Sequence, residues 1–547
     1  MSQKNFRMVA KTFQGLEDVL RDELLMLGAT NIEMGNRMVS FEGDLEMLYK
    51  ANLCLRTALR VLKPIVMFNA ENPDELYDKV RDLPWEDFMD SDTTFSIDST
   101  VYGEEFTHSK FVTYRVKDGI VDHFRDRDGS RPSIRLEGAD LQFNVHIAGD
   151  RVTISLDSSG EPLYKRGYRV GQTDAPINEV LAAGIILKSG WQGDCDFLDP
   201  MCGSGTFLIE AALIAANINP GIYRESFAFE KWKDFDKELF ENLYNDDSEE
   251  KDFNYKIFGG DKDPEAIAIA KENIRSAHVE EMIELVCQPL TEWQADTAEG
   301  IIVTNPPYGE RLRPGNLDML YRELGSTLKN NFQGWHAWII GYHEEQLKEI
   351  GLKPSVKIPL HNGSLECSLR EYVMFDGSYS DFRSEGGSVA SKASEKKKSE
   401  GPRKVRHISD DDWKKESKKF NRDNSFQPSG KKDRNKTHGR GEARRTEDSG
   451  YFDSQERDNN REWTKGGNDR SKGNSFFKEK GREGFKSNGN SRFKDKDRFK
   501  DRDRRDQSGK NDRLHNKTYD PAKSKGPRLP ESSEIVINPV HLRKRKK

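Results

Sequence analysis

Cysteine is scarce in this 547-residue chain: there are five, Cys54, Cys195, Cys202, Cys287 and Cys367. None forms a C-x-x-C pair, and the number is odd, so neither a disulfide framework nor a zinc site is expected. A reducing compartment fits best. Long apolar runs are also missing. Nothing approaches the ~18 apolar residues of a membrane-spanning helix, and Met1 to Lys11 has no apolar signal core. The expectation is a cytoplasmic protein with no membrane partner. A glycine turn at 199–206 lacks the phosphate-binding Gly-Lys-[Ser/Thr] ending, which argues against a nucleotide triphosphatase.

Charge is abundant but unevenly placed. Residues 391–547 carry 47 Lys+Arg against 27 Asp+Glu, a net of +20. Residues 1–390 carry 41 against 67, a net of −26. An acidic body with a basic tail points to a polyanionic partner reached through the tail, although a merely solvated tail has the same composition. Apolar periodicity stops near residue 383, and the rest is rich in Lys, Arg, Asp, Asn, Ser and Gly with isolated Phe residues. Such a stretch cannot bury enough surface to offset chain entropy, so disorder is expected from 383 to 547. Basic residues with scattered aromatics suit sequence-tolerant RNA contact.

Before that point the chain divides by pattern. Residues 1–55 read as a small α+β unit, with a helix through Leu16, Leu20, Leu24 and Leu27 and a strand at Met38–Phe41. Residues 56–157 continue in mixed style and end in a hairpin around Ala148-Gly-Asp150. From 158 to 382 strands alternate with helices. Strands are expected at 195–199, 255–261, 282–288, 301–304 and 336–342, which argues for a parallel α/β sheet. His361-Asn-Gly363 marks a final antiparallel hairpin. An aromatic, charged insertion occupies about 219–254, and its pattern assigns it no role.

Three stretches carry chemistry. The first, Asp199-Pro-Met-Cys-Gly-Ser-Gly-Thr206, reads as strand, glycine turn, helix. Gly203 and Gly205 allow close backbone approach to a ligand, and the acid at the start of the turn suits a cationic, amine-bearing ligand rather than a pyrophosphate. In the second, Ile257 to Ala266, an acid closing a strand can hold ribose hydroxyls. Asp261 is the choice, with Asp263 as a helix-cap competitor, and helix capping alone would account for either. In the third, Ile301 to Arg311, an apolar strand ends at Asn305 and two prolines then stiffen the backbone. The Asn305 amide oxygen and Pro306 carbonyl can accept hydrogen bonds from an exocyclic amine, while Tyr308 offers a face for a flipped base. A turn that merely ends a strand would look the same in isolation. All three stretches fall at successive strand ends, as one site requires.

With these motifs in place, the chain resembles the THUMP-domain class I S-adenosylmethionine-dependent RNA methyltransferases, closest to those forming N2-methylguanosine in 23S ribosomal RNA. The glycine turn, Asn305-Pro-Pro-Tyr-Gly-Glu-Arg311, Lys165-Arg-Gly-Tyr-Arg169 and Ala175-Pro-Ile-Asn-Glu179 carry the resemblance, which covers about residues 1–380. It implies a ferredoxin-like unit at 1–55, a THUMP RNA-binding domain at 56–157 and a Rossmann-like catalytic domain at 158–382, followed by the basic tail at 383–547. It further implies that Asp199, Gly203, Ser204, Gly205, Thr206, Asp261, Asn178 and Glu179 bind S-adenosylmethionine. Asn305, Pro306 and Tyr308 would act on the target base, and Pro307 and Arg311 would contact substrate. One departure concerns the adenine contact. Many relatives have an acid after the third strand, where this chain reads Cys287-Gln-Pro-Leu290, so Gln288 or a backbone group would substitute. Transfer to a tRNA guanine or to an adenine N6 amine stays open, as does a non-catalytic RNA-binding role in ribosome assembly.

Overall fold

Alternating burial builds the first sheet. In β1 (Phe6–Lys11) Met8 and Ala10 face inward between half-exposed neighbours, and in β7 (Leu141–Ala148) Leu141, Phe143, Val145 and Ile147 do the same. That period of two is the mark of a sheet with one face on a core. The computed structural model of the protein describes residues 5–307, 314–375, 377 and 410–423. The remaining strands of this sheet are β2 (Thr30–Gly35), β3 (Met38–Gly43), β4 (Arg60–Asn69), β5 (Thr94–Tyr102), β6 (Ser133–Ile134) and β8 (Arg151–Asp157). Their order is β2-β3-β1-β4-β8-β7-β5-β6. The regions expected at 1–55 and 56–157 therefore share one sheet, joined where β4 pairs with β1 on one side and β8 on the other. Helices α1 (Glu17–Met26), α2 (Leu45–Cys54), α3 (Pro73–Arg81) and α4 (Ser109–Asp128) cover it. Asp44 and Asn72 cap α2 and α3 by accepting from backbone N–H groups of the first turn, a contribution of about 1 kcal/mol each.

The second sheet has a different burial logic. Every residue of β9 (Asp196–Asp199) and β12 (Gly300–Thr304) is buried, as befits central parallel strands covered on both faces. With β10 (Ile257–Asp261), β11 (Ile283–Cys287), β13 (His336–Gly341), β14 (Val356–Asn362) and β15 (Leu365–Val373), the order is β11-β10-β9-β12-β13-β15-β14. The first five run parallel, while β15 is antiparallel to both β13 and β14. The expected hairpin turns at Gly363, whose φ of 62° lies in the left-handed region. Helices α5 (Glu179–Ser189), α6 (Thr206–Ala215), α8 (Pro264–Ser276), α9 (Pro314–Asn331) and α10 (Glu344–Glu349) accompany the strands, and α7 (Lys237–Tyr244) lies in the insertion.

That insertion fastens one sheet to the other. Phe229 stacks on Tyr49 of α2 at 4.6 Å between centroids, and Phe240 meets Tyr49 edge-on at 5.6 Å. Lys233 donates to the Glu86 carbonyl and pairs with Asp90 at 2.9 Å. Behind the clamp lies a buried polar seam. Arg166 donates to the Arg56 carbonyl at 2.5 Å and lies 3.4 Å from Glu210, which also accepts from the Tyr168 hydroxyl at 2.9 Å. Arg224 donates to the carbonyls of Ser159, Glu161, Pro162 and Lys165, pinning the segment that leads from β8 into the second sheet.

Within the stretch expected to be unordered, Asp410–Asp423 forms a helix, α11. Local composition does not announce it, because its order comes from side chains that dock on β4. The rest of the expected tail lies outside the described residues. No helix among the described residues is long and apolar enough to cross a membrane.

Candidate active site

The glycine turn rises from the end of β9 and enters α6. Gly203 and Gly205 have φ of 53° and 82°, a region that costs other residues about 1–2 kcal/mol. A Cβ on Gly205 would also stand 3.3 Å from Ala270 of α8. The turn is held from several sides. The Cys202 N–H donates to the Gly260 carbonyl at 2.8 Å, and the Gly203 N–H donates to the Asp261 carboxylate at 3.1 Å. Asn273, fully buried on α8, donates to the Ser204 carbonyl and accepts from the N–H groups of Val170 and Gly171.

Arg169 is the main organiser, and its role is not readable from its motif. Its guanidinium pairs with Glu179 at 2.6 Å and donates to the hydroxyls of Ser204 at 3.0 Å and Thr206 at 2.9 Å. Thus Glu179, Ser204 and Thr206 are gathered around one cation. Asn178 caps α5 by accepting from the N–H groups of Val180 and Leu181. No spacing rule links Arg169 to residues 35 and 37 positions later; only the fold does.

A cavity of about 620 Å³ opens over the carboxyl ends of β9, β10, β11 and β12. Pro200, Met201 and Gly203 line it from the turn, and Asp261, Lys262 and Asp263 from the end of β10. Asn305, Pro306 and Pro307 line it from the end of β12. Pro289, Leu290 and Thr291 form the wall after β11; Gln288 is not on it. Thr173, Ala175 and Pro176 close one side, with Glu323 of α9 and Asn362 of the hairpin at another. Asp199, Ser204, Gly205, Thr206, Asn178 and Glu179 do not line this cavity; they build the frame behind it. Tyr308 and Arg311 lie outside the described residues.

Two features are chemically informative. The Asn305 amide oxygen is buried and, among the described residues, has no hydrogen-bond partner. A buried acceptor left empty costs about 1–3 kcal/mol, so it marks a place prepared for a donor. Asp199 is fully buried, accepts from the Thr304 hydroxyl at 2.7 Å and the Met201 N–H at 3.2 Å, and lies near the Asp261 charge. Burial pushes its carboxyl up to about 7 despite these donors. Asp261 accepts from Gly203 through one oxygen and from the Asp263 N–H through the other, so it is braced toward the cavity, while Asp263 caps α8.

The strand order, with an antiparallel strand inserted beside β13 and a cavity at the strand ends, defines a class I methyltransferase fold. Comparison with known proteins narrows the class. Residues 166–371 match the RMKL-like methyltransferase domain, residues 70–157 the THUMP domain and residues 7–62 the RlmL ferredoxin-like domain. The chain is 40% identical over 373 residues to the ribosomal RNA large subunit methyltransferase K/L of Syntrophotalea carbinolica, covering 66% of this chain and 52% of that protein. It is 35% identical to a putative RNA methyltransferase of Synechocystis, covering 67% of this chain and 96% of the relative. A putative methyltransferase solved in complex with SAH superposes with a TM-score of 0.62 at 32% identity, covering 69% of this chain and all of the other. The chain belongs to the family of THUMP-bearing, RMKL-like methyltransferases. It spans about half the length of the ribosomal RNA methyltransferases K/L that it matches.

Proposed function

We propose that the protein is an S-adenosylmethionine-dependent RNA methyltransferase that acts on the exocyclic N2 amine of a guanine in large-subunit ribosomal RNA. The single observation that carries this reading is the buried amide oxygen of Asn305, a residue lining the cavity, which has no donor among the described residues. An aromatic amine is a poor nucleophile because its lone pair is delocalised into the ring. Two acceptors on its protons, the Asn305 oxygen and the Pro306 carbonyl, favour a more pyramidal nitrogen and restore lone-pair density. Pro306 and Pro307 limit the backbone torsions, so both acceptors are preorganised. In this reading Pro307 and Arg311 contact the substrate, and Tyr308 supplies the stacking face.

The donor-side residues fit a sulfonium cofactor. S-adenosylmethionine supplies an electrophilic methyl group when bound. Asp261, held by the Gly203 and Asp263 N–H groups, has carboxylate capacity left for ribose hydroxyls. Pro200, Met201 and Gly203 of the turn would meet the methionine end, and the Glu179–Arg169 pair with Asn178 holds the frame behind them. Pro289 and Leu290, which line the cavity, would offer apolar contact to the adenine, and the backbone beyond β11 would take the place of the expected acid. Positioning the amine against the electrophile is the main catalytic term.

The curated relatives named as ribosomal RNA large subunit methyltransferases K/L support ribosomal RNA over other substrates. The test is to incubate the full chain with labelled S-adenosylmethionine and protein-free large-subunit RNA, then digest to nucleosides. Label in N2-methylguanosine is expected. Label in N6-methyladenosine or 7-methylguanosine instead, or label confined to tRNA in a parallel reaction, overturns the assignment.

A further inference from the structure

β4 has an open flank, and α11 fills it. β1 pairs with β4 only through Arg60 to Leu62, and β8 takes the opposite side. Beyond Leu62, among the described residues, no strand pairs with the flank that β1 leaves. Met67 stands opposite Thr153 of β8, and its own N–H and C=O turn the other way, to the Asn421 side chain. The Met67 N–H donates to Asn421 Oδ1 at 3.2 Å, and Asn421 Nδ2 donates to the Met67 carbonyl at 2.6 Å. One amide side chain thus supplies the rung that a missing strand would make, which protects an otherwise adhesive edge.

The rest of the docked face agrees. Trp413 is buried, donates its indole N–H to Asn69 Oδ1 at 3.0 Å, and has the Arg151 guanidinium 5.6 Å from its ring. Glu416 reaches Arg7 at 3.8 Å, and Ser417 is buried. Residues 413, 417 and 421 recur at helical spacing and share one face. Lys415 and Lys419 fall on the opposite face, Lys414 and Lys418 on its flank, and all four are exposed. Among the described side chains, which do not include those of Asp410 to Asp412, none forms an ion pair with these lysines. In sequence the acids Asp410 to Asp412 come one turn before Lys414 and Lys415, and Glu416 lies between the two lysine pairs. Lysines one turn apart are offset by about 6 Å along the axis, giving two short rows of cations on a rigid support.

A lysine ridge on an unordered tail gains only diffuse attraction. Here a tryptophan and an asparagine are committed to holding the ridge against β4. We propose that α11 is a docked phosphate-binding ridge, taking the sugar–phosphate backbone of the RNA on which the protein acts. This rests on the reading of RNA as substrate. Counterion release makes such an interaction visible in salt dependence.

The experiment compares the full chain with a variant carrying Lys→Ala at 414, 415, 418 and 419. Binding of a protein-free large-subunit RNA fragment is titrated over a range of salt, without cofactor. The slope of log K against log salt is expected to flatten by about three units, at ~0.7–0.9 for each phosphate no longer neutralised. S-adenosylmethionine affinity is expected to stay the same, because none of these lysines lines the cavity. A second variant, Trp413→Ala with Asn421→Ala, releases the helix while keeping all four charges, and is expected to weaken RNA binding by at least threefold. An unchanged slope in the first variant, or unchanged affinity in the second, overturns the ridge. Loss of binding to polyglutamate but not to RNA in the first variant also overturns it, in favour of an acidic protein partner. If the wild-type chain binds the RNA and methylates it while the slope is unmoved, only the ridge fails. If it binds no RNA at all, the functional reading fails with it.

Discussion

Asn305 and Asp199 are two polar side chains whose burial is informative for opposite reasons. Among the described residues Asn305 has an acceptor without a donor, which is unfavourable until a donor is supplied. Asn305→Ala is expected to lower methyl transfer by about 10²–10³-fold while cofactor affinity, read by calorimetry, stays within twofold. Equal losses in both would assign Asn305 to the frame instead. Asp199 has its donors but pays for burial, so its folded carboxyl titrates near 7 rather than near 3.8. The folded state then holds a proton that the unfolded state has released. Stability of the cofactor-free protein is therefore expected to fall as pH rises from about 4 to about 7 and to level off above that, a cost of up to about 4 kcal/mol. Asp199→Asn keeps the acceptor for Thr304 and should reduce this trend in denaturant titrations run at a series of pH values, leaving the smaller share of other buried carboxyls such as Glu23 and Asp157. A slope in the variant equal to that of the wild type would show that another group is responsible.

At the scale of elements, the corner where α5 meets α6 is set by Arg169. Its guanidinium joins the first turns of both helices, and the glycine turn hangs from that joint. Glu179 is buried beside the half-buried Arg169, so removing the cation leaves an unpaired buried carboxyl. Arg169→Met is expected to weaken S-adenosylmethionine binding by tenfold or more. Arg169→Lys should recover only part of this, because one ammonium cannot reproduce the planar fork that serves four acceptors, the Ile177 carbonyl among them. Full rescue by Lys in calorimetry would show that charge alone matters. The legibility of an element in sequence depends on its burial. β9 and β12 stand out because both faces are covered and the apolar run is unbroken. β2, mostly half-exposed, and β4, interrupted by Pro64 and a bulge, have no clear period to read. α11 is hidden for a related reason: few of its residues are apolar, and its order depends on Trp413 and Asn421 finding β4.

At the scale of the molecule, the insertion turns two sheets into one working body. Phe229 lies at the centre of the aromatic clamp, stacked on Tyr49 and Phe227 and edge-on to Phe240. Phe229→Ala is expected to cost about 3–5 kcal/mol and to split thermal unfolding, followed by calorimetry, into two transitions. A single transition with an unchanged midpoint would mean that the buried seam around Arg166 and Glu210 suffices to hold the sheets together.

Local sequence determined the glycine turn, the proline arm, the strand–helix alternation and the charge asymmetry, because each depends on backbone preference or composition within a few residues. Only the tertiary structure decided that Arg169 gathers Glu179, Ser204 and Thr206, that Asp199 is buried beside Thr304, that the insertion clamps Tyr49, and that a helix from the basic tail completes the flank of β4. Those relations join residues that are distant in sequence, and distance in sequence leaves no periodicity to read. They arise when burial makes an unpaired polar group costly and the nearest partner in space supplies what the nearest partner in the chain cannot.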